Sequence, residues 1–154
     1  MHTLHRLLRH WYLSNRHGHH LFSSKALQHF DTILQEGMQR HQARLRLVIE
    51  VALPARAVLR KISARTRAGV VFAQHHVTHH DASCNVLIYI NLADRKVEII
   101  TDTETGQSLS EGPWRLLCDQ ITAGFMVGDP VDGVAKALHG LNAHFLEQRS
   151  TTNN

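Results

Sequence analysis

The feature that most constrains the fold is a continuous apolar run in the middle of the chain. Residues 85–90 read Asn-Val-Leu-Ile-Tyr-Ile, which is apolar after the first position and rich in β-branched side chains. A run of this length and composition predicts a β-strand that is covered on both faces. The chain must therefore supply layers on either side of a sheet, which indicates an α/β architecture.

Two further segments predict strands that accompany this central one. Residues 44–51 begin in strict alternation, so that one face is apolar and buried. That face consists of Leu45, Leu47, Ile49 and Val51. Residues 91–96 have turn composition, and Val97, Ile99 and Thr101 alternate after them, which predicts a hairpin with the central strand.

Four segments show the three- and four-residue apolar spacing of a helix face. Their predicted starts are Ser24, Pro54, Ser110 and the pair Asp129-Pro130, where each residue type is favoured at a helix N-terminus. Their predicted inward residues are Leu27, Phe30, Leu34 and Met38; then Val58, Leu59, Ile62, Val70 and Phe72; then Trp114, Leu117, Ile121 and Phe125; and finally Val134, Leu138, Leu141 and Phe145.

This order of elements predicts a three-layer α/β/α sandwich around a small mixed sheet, with an extra N-terminal amphipathic segment. We expect residues 1–23 to be an N-terminal extension, residues 24–148 to form one domain, and residues 149–154 to be a disordered tail. Arg6 and Arg9 interrupt the first apolar stretch, so neither a signal peptide nor a membrane span is expected, and the predicted location is the cytoplasm.

The charge pattern narrows the classes of partner. The chain carries 17 Lys and Arg against 13 Asp and Glu, but no long basic run, and only 6% of its residues are aromatic, so nucleic-acid binding is not expected. A basic stripe in the second predicted helix (Arg56, Arg60, Lys61, Arg65 and Arg67) is either a solvated face or a phosphate-binding surface. Residues 1–13 could also contact an anionic membrane peripherally.

Residues 85–102 (Asn-Val-Leu-Ile-Tyr-Ile-Asn-Leu-Ala-Asp-Arg-Lys-Val-Glu-Ile-Ile-Thr-Asp) resemble the hairpin of the TPM domain family. The similarity extends over residues 24–148, through Leu45–Pro54 and through the Gly128-Asp-Pro-Val-Asp-Gly-Val134 segment. It implies the sandwich fold and, in some members, a divalent cation near the loops of the sheet. It also implies a cytoplasmic subgroup without export signal or membrane anchor.

One departure from the family pattern concerns this cation. Members usually have an Asp, then Asn-Asn-Gly, before the central strand, whereas this chain has His79 at the acid position and Ser-Cys-Asn at 83–85. The candidate metal ligands are therefore His79, His80, Asp81 and Asp102. Nitrogen donors favour zinc or nickel over calcium or magnesium. The alternative is that the histidines form a solvated loop in a chain with 14 histidines.

Two functions remain open. The first is a non-enzymatic TPM-like module that binds a divalent cation or a protein partner. The second is a metal-assisted phosphatase whose cation stabilises a transferring phosphoryl group. The sequence has no nucleophile elbow and no Gly-rich phosphate loop, and no catalytic residue or organic cofactor is assigned. This absence and the altered acid position favour the first function.

Overall fold

A computed structural model of the chain describes residues 2–16, 21–41, 43–76, 85–102 and 111–152. The helices and strands in these ranges are α1 (His2–Arg16), α2 (Ser24–His41), β1 (Arg44–Glu50), α3 (Ala55–Leu59), α4 (Ala64–His76), β2 (Asn85–Asn91), β3 (Lys96–Thr101), α5 (Glu111–Val127) and α6 (Pro130–Thr152). The strands form one mixed sheet in the order β1-β2-β3. The predicted fold class, an α/β sandwich around a small mixed sheet with an added N-terminal amphipathic segment, is confirmed.

Strand β2 is the central strand, as its apolar composition predicts. Its residues from Val86 to Ile90 are each at most 2% exposed, so both faces are covered. A four-residue turn joins β2 to β3 in an antiparallel hairpin, and in this mixed sheet β1 runs parallel to β2. The carboxyl ends of β1 and β2 therefore lie at one edge of the sheet.

The chain divides into two compact units. Unit 1 consists of Met1–Leu21, Leu47–Asp81 and Leu87–Ile100, and unit 2 of Phe22–Arg46, Ala82–Val86 and Thr101–Asn154. Unit 1 contains two apolar clusters. The first is Ala64, Ala68, Val71, Leu87 and Tyr89; the second is Leu53, Ala57 and Val58, with Leu7 and Ile62 packed against it. The second cluster joins α1 to α3.

Unit 2 is organised by the pairing of α5 with α6 and of α2 with α6. Gly128 ends α5 with a φ of 82°, a conformation that favours glycine, and Asp129 caps α6 by accepting a hydrogen bond of 3.0 Å from the Asp132 N–H. The predicted inward residues of this last helix are all buried: Val134, Leu138, Leu141 and Phe145. The Asp129-Pro130 start is therefore confirmed.

The second predicted helix is in fact two helices. α3 ends at Leu59, Lys61 has a φ of 55°, and α4 begins at Ala64 after Ser63, whose hydroxyl accepts the Thr66 N–H at 3.0 Å. Because of this break the helical phase changes, and Leu59 and Val70 are 61% and 45% exposed instead of buried.

Three smaller predictions also need correction. The cap of α2 is Ser23, which accepts the Ala26 N–H at 3.2 Å, and not Ser24. Leu27 is 47% exposed and does not belong to the core. α6 continues to Thr152, so residues 149–152 are helical where a disordered tail is predicted. No helix in the described ranges is long and apolar enough to span a membrane.

Candidate functional site

The structure describes one of the four predicted metal ligands. Asp102 follows directly after β3 and is half-buried, whereas His79, His80 and Asp81 lie outside the described residues. Within the described ranges, no three His, Cys, Asp or Glu side chains are placed to hold a metal ion together. The predicted metal site thus stays a prediction.

A different group of polar side chains converges at the carboxyl ends of β1 and β2. This edge of a parallel strand pair is where ligands commonly bind in α/β proteins. We call the group the carboxyl-end network; it consists of Arg6, His10, Glu50, Arg67, Tyr89, Asn91 and Asp94, all from unit 1.

Glu50, the last residue of β1, is the first anion of the network. Arg67 of α4 donates from Nε to both Glu50 oxygens, at 3.1 and 3.0 Å, and the Tyr89 hydroxyl donates to Oε2 at 2.6 Å. Burial disfavours the charged carboxylate, but the hydrogen bonds from Arg67 and Tyr89 outweigh this effect and lower the pKa of Glu50. Burial and the bond to Glu50 raise the pKa of Tyr89, so the phenol remains a donor.

Asn91 connects this first anion to a second one. Its Nδ2 group donates to the Tyr89 hydroxyl at 3.4 Å, and its Oδ1 accepts the Asp94 N–H at 2.9 Å. Asn91 is fully buried at the end of β2, and both sides of its amide are used: the oxygen fixes the turn that follows, and the nitrogen holds the Tyr89 hydroxyl.

Asp94 is the second anion and is held by α1. Arg6 donates to its carboxylate from Nε at 2.9 Å and from Nη2 at 2.6 Å, and Arg9 lies at 3.5 Å. Burial opposes the charge of Asp94, but the hydrogen bonds from Arg6 and His10 outweigh it, so the pKa of Asp94 is lowered. The Asp94 contact in turn raises the pKa of Arg6.

His10 completes the attachment of α1. Its ring is 2% exposed; Nδ1 accepts the Leu53 N–H at 2.8 Å, and Nε2 lies 3.0 Å from Asp94 Oδ1. Since Nδ1 is an acceptor, these partners assign the ring proton to Nε2, which donates to Asp94. His10 therefore bridges the loop after β1 and the turn after β2.

These contacts decide what the network can do chemically. Each carboxylate accepts a two-point interaction from an arginine and a further hydrogen bond, and each is held in its ionised form. A general acid needs a raised pKa, and a nucleophilic carboxylate needs an oxygen that is open to substrate. Both carboxyl groups of the carboxyl-end network instead have a lowered pKa, and their oxygens are occupied by donors. The geometry is that of an internal ion-pair network that fixes α1.

Unit 2 contains a second polar cluster, which is uncharged. His41 Nε2 donates to Asn142 Oδ1 at 3.1 Å, His41 Nδ1 accepts the Ala43 N–H at 3.0 Å, and Asn142 Nδ2 donates to the Ile33 carbonyl at 2.8 Å. Burial, opposed by the Asn142 bond, lowers the pKa of His41. The backbone of Gly37 lies directly against the Asn142 side chain.

Unit 2 also has a groove of about 280 Å³ between α5 and α6. Its lining is mainly apolar, with Leu116, Leu117 and Leu141, and it includes His144. The His144 Nε2 atom is buried and has no hydrogen-bond partner within the described part of the chain. The groove has few polar groups that could orient a ligand.

The carboxyl-end network is not predicted from the sequence. It joins segments that are far apart in the chain, since Arg6 and Asp94 are separated by 88 positions, so no local spacing connects them. The sequence nevertheless contains one indication of it. Glu50 and Asn91 are polar residues that each end an apolar strand, and polar residues that contact ligands are expected at such strand ends. Arg67, predicted to belong to a solvated or phosphate-binding stripe, is instead paired with Glu50.

Comparison with known proteins agrees with this architecture. The model of the TPM domain family, labelled TPM phosphatase, matches residues 16–144. The chain belongs to the TPM domain family. The BA42 protein of the psychrophilic bacterium Bizionia argentinensis, whose structure was determined by NMR, shares the fold with a TM-score of 0.69 and 16% sequence identity, over 83% of each chain. No curated protein sequence matches this TPM domain.

Proposed function

We propose that this TPM domain is a non-enzymatic binding module for a divalent cation or a protein partner. The observation that carries the proposal concerns Glu50 and Asp94, the carboxylates at the carboxyl ends of β1 and β2. Each of them is paired with an arginine. The oxygens of both accept hydrogen bonds from an arginine and from a further donor, so neither carboxylate is placed to act as a general acid or as a nucleophile.

Of these two ligands, the divalent cation is the one that the predicted metal ligands favour. The β2–β3 hairpin brings the start of β2, at Asn85, beside Asp102 at the end of β3. His79, His80 and Asp81 precede Asn85 by a few residues in the sequence, so a site at this end of the hairpin would combine imidazole nitrogens with carboxylate oxygens. Such a mixed set suits zinc or nickel better than calcium or magnesium.

Titration calorimetry on the full chain tests this proposal. A second histidine group, His17, His19 and His20, could chelate metal by itself, so the reference protein carries all three as alanine. We expect this reference to bind zinc more tightly than calcium, with the affinity lowered by His79→Ala. Zinc affinity should also decrease below about pH 6.5, where protons compete for free imidazole. Tight calcium binding that ignores His79→Ala would refute this ligand set.

The alternative is a metal-assisted phosphatase, the activity for which the TPM phosphatase family is named. Hydrolysis of p-nitrophenyl phosphate, measured with magnesium, calcium and zinc from acidic to neutral pH, separates the two functions. The binding-module proposal predicts no turnover above the uncatalysed rate. Turnover that Asp81→Ala or Asp102→Ala abolishes would overturn it and establish the enzyme.

A further inference from the structure

The outer face of α1 is a continuous exposed surface of large apolar and aromatic side chains. Leu4, Leu8, Trp11 and Tyr12 are 67%, 56%, 65% and 51% exposed. Their spacing of four, seven and eight residues from Leu4 places them on one side of the helix. Single exposed leucines are common in proteins, but a cluster that includes Trp and Tyr on one helix marks an interaction surface. We call these four residues the outer arc.

The opposite side of α1 is fixed to the rest of unit 1. Arg6 donates to the Ile62 carbonyl at 2.8 Å and pairs with Asp94, and His10 bonds to Asp94 and to the Leu53 N–H. Leu7 packs on the apolar cluster around Val58. Because this side is anchored by charged and apolar contacts at once, the outer arc faces away from the rest of unit 1, and the helix that carries it is already held in place before it binds.

The helix that carries the outer arc has charged side chains of one sign. The segment His2–Arg16 contains three arginines and no acid, and the first acidic residue of the chain is Asp31. Helix α3, which packs beside α1 in unit 1, and the two residues that follow it add an exposed Leu59 and three exposed cations. These cations are Arg56, Arg60 and Lys61. An apolar strip with interfacial aromatics and a basic border is complementary to a negatively charged lipid surface.

We propose that α1 docks this protein on an anionic membrane surface through its outer arc. Trp11 and the leucines would enter the boundary between headgroups and acyl chains, while the cations at and directly after α3 would meet the lipid phosphates. The helix lies in the plane of the membrane and does not cross it. This inference is independent of cation binding, because it uses no residue of the proposed metal site.

Co-sedimentation of the full chain with phosphatidylcholine vesicles, prepared with and without phosphatidylglycerol, tests the proposal. We expect binding to the anionic vesicles to be at least about tenfold tighter than to the neutral ones, and to weaken with added salt. Leu8→Glu should reduce that binding about tenfold or more. The matched control is Leu116→Glu in α5, since Leu116 is 58% exposed and Leu8 56%, and it should leave vesicle binding unchanged.

Thermal unfolding of Leu8→Glu shows whether the variant keeps its fold. We expect that it does, because Leu8 is exposed. Three results would overturn the proposal: equal binding to neutral and anionic vesicles, equal loss of binding in both glutamate variants, or no vesicle binding at all. A concentration-dependent dimer that Leu8→Glu dissociates, together with absent vesicle binding, would assign the outer arc to a second copy of the chain instead.

Discussion

The polar network of unit 1 is built on two partly buried carboxylates that pair with arginines, whereas the polar cluster of unit 2 is neutral and is built on hydrogen bonds to amide groups. Glu50 and Asp94 each depend on an arginine. His41 depends on Asn142, which in turn depends on a backbone carbonyl. Both clusters satisfy their groups, but removal of one member leaves a half-buried charge in unit 1 and only an unpaired dipole in unit 2.

The difference shows how each unit uses its polar residues. In unit 1 the charges join segments that are distant in sequence, and so attach α1 to the strand ends. In unit 2 the amide of Asn142 fills the space over Gly37 and bonds to the Ile33 carbonyl and His41, so the cluster joins α2 to α6. The unit 1 network should therefore be more sensitive to loss of charge, and the unit 2 cluster more sensitive to a change of volume.

The largest effect is expected for Glu50→Ala. This change leaves Arg67 and the Tyr89 hydroxyl without their acceptor, and we expect the free energy of unfolding to fall by about 3 kcal/mol. Glu98→Ala is the matched control: its side chain is also 21% exposed, but its ion pair with the exposed Arg65 spans 3.5 Å. A loss of about 0.5 kcal/mol or less is expected there. Urea unfolding of both variants measures this difference. Equal losses of unfolding free energy would contradict the role given to Glu50.

The next effect concerns volume in unit 2. A Cβ atom added at Gly37 would lie 2.2 Å from Asn142 side-chain atoms, so Gly37→Ala must displace Asn142 and break its bonds to His41 and Ile33. We expect a loss of about 2 kcal/mol.

The control for this second change is Gly69→Ala in α4, where an added Cβ would have no neighbour within 4 Å. Alanine is the better helix former, so Gly69→Ala should stabilise the protein by about 0.5–1 kcal/mol. Thermal unfolding should therefore shift in opposite directions for the two glycine variants. A shift in the same direction for both would refute the packing of Asn142 on Gly37.

The smallest effect is the dependence of stability on pH. The pKa of His41 is lower in the folded protein than in the unfolded chain. As pH falls below about 6.5, His41 is therefore protonated in the unfolded chain before it is protonated in the folded protein. The contribution of the neutral His41 is complete above that pH and declines below it, by at most about 1.4 kcal/mol per pH unit. Glu50 and Asp94 have lowered pKa values, so their contribution persists to about pH 4 and is lost only below.

Chemical unfolding of the wild type and of His41→Gln, from pH 7.5 to pH 5, measures the first of these two windows. Glutamine retains a donor and an acceptor but does not titrate, so the slope between pH 6.5 and pH 5 should be shallower in the variant. An identical slope in both proteins would show that His41 is not the group responsible.

The parts of the fold that follow from local sequence were predictable. The apolar run before Asn91, the stop at Gly128 and the cap at Asp129 are each set by a few adjacent residues. The break between α3 and α4 was missed because Lys61 adopts a left-handed conformation that its residue type does not indicate. Neighbouring contacts, rather than propensity, determine the conformation there.

The candidate site was less predictable for a related reason. Arg6, His10 and Asp94 meet only when α1 has docked and the hairpin has formed, and nothing in the immediate sequence of any one of them requires the other two. The histidine pairs at 75–80 form a pattern that is local in sequence, whereas the contacts of Arg6 and His10 with Asp94 join residues more than 80 positions apart.

The most direct test of the account is an NMR titration of the side-chain carboxyl carbons of Glu50 and Asp94. If the carboxyl-end network is an internal ion-pair network, both groups should titrate below the ordinary values of 4.5 for Glu and 3.8 for Asp. A catalytic acid shows the opposite behaviour. If either carboxyl instead titrates above its ordinary value in the folded protein, the network is poised for proton transfer and the account of a binding module is contradicted.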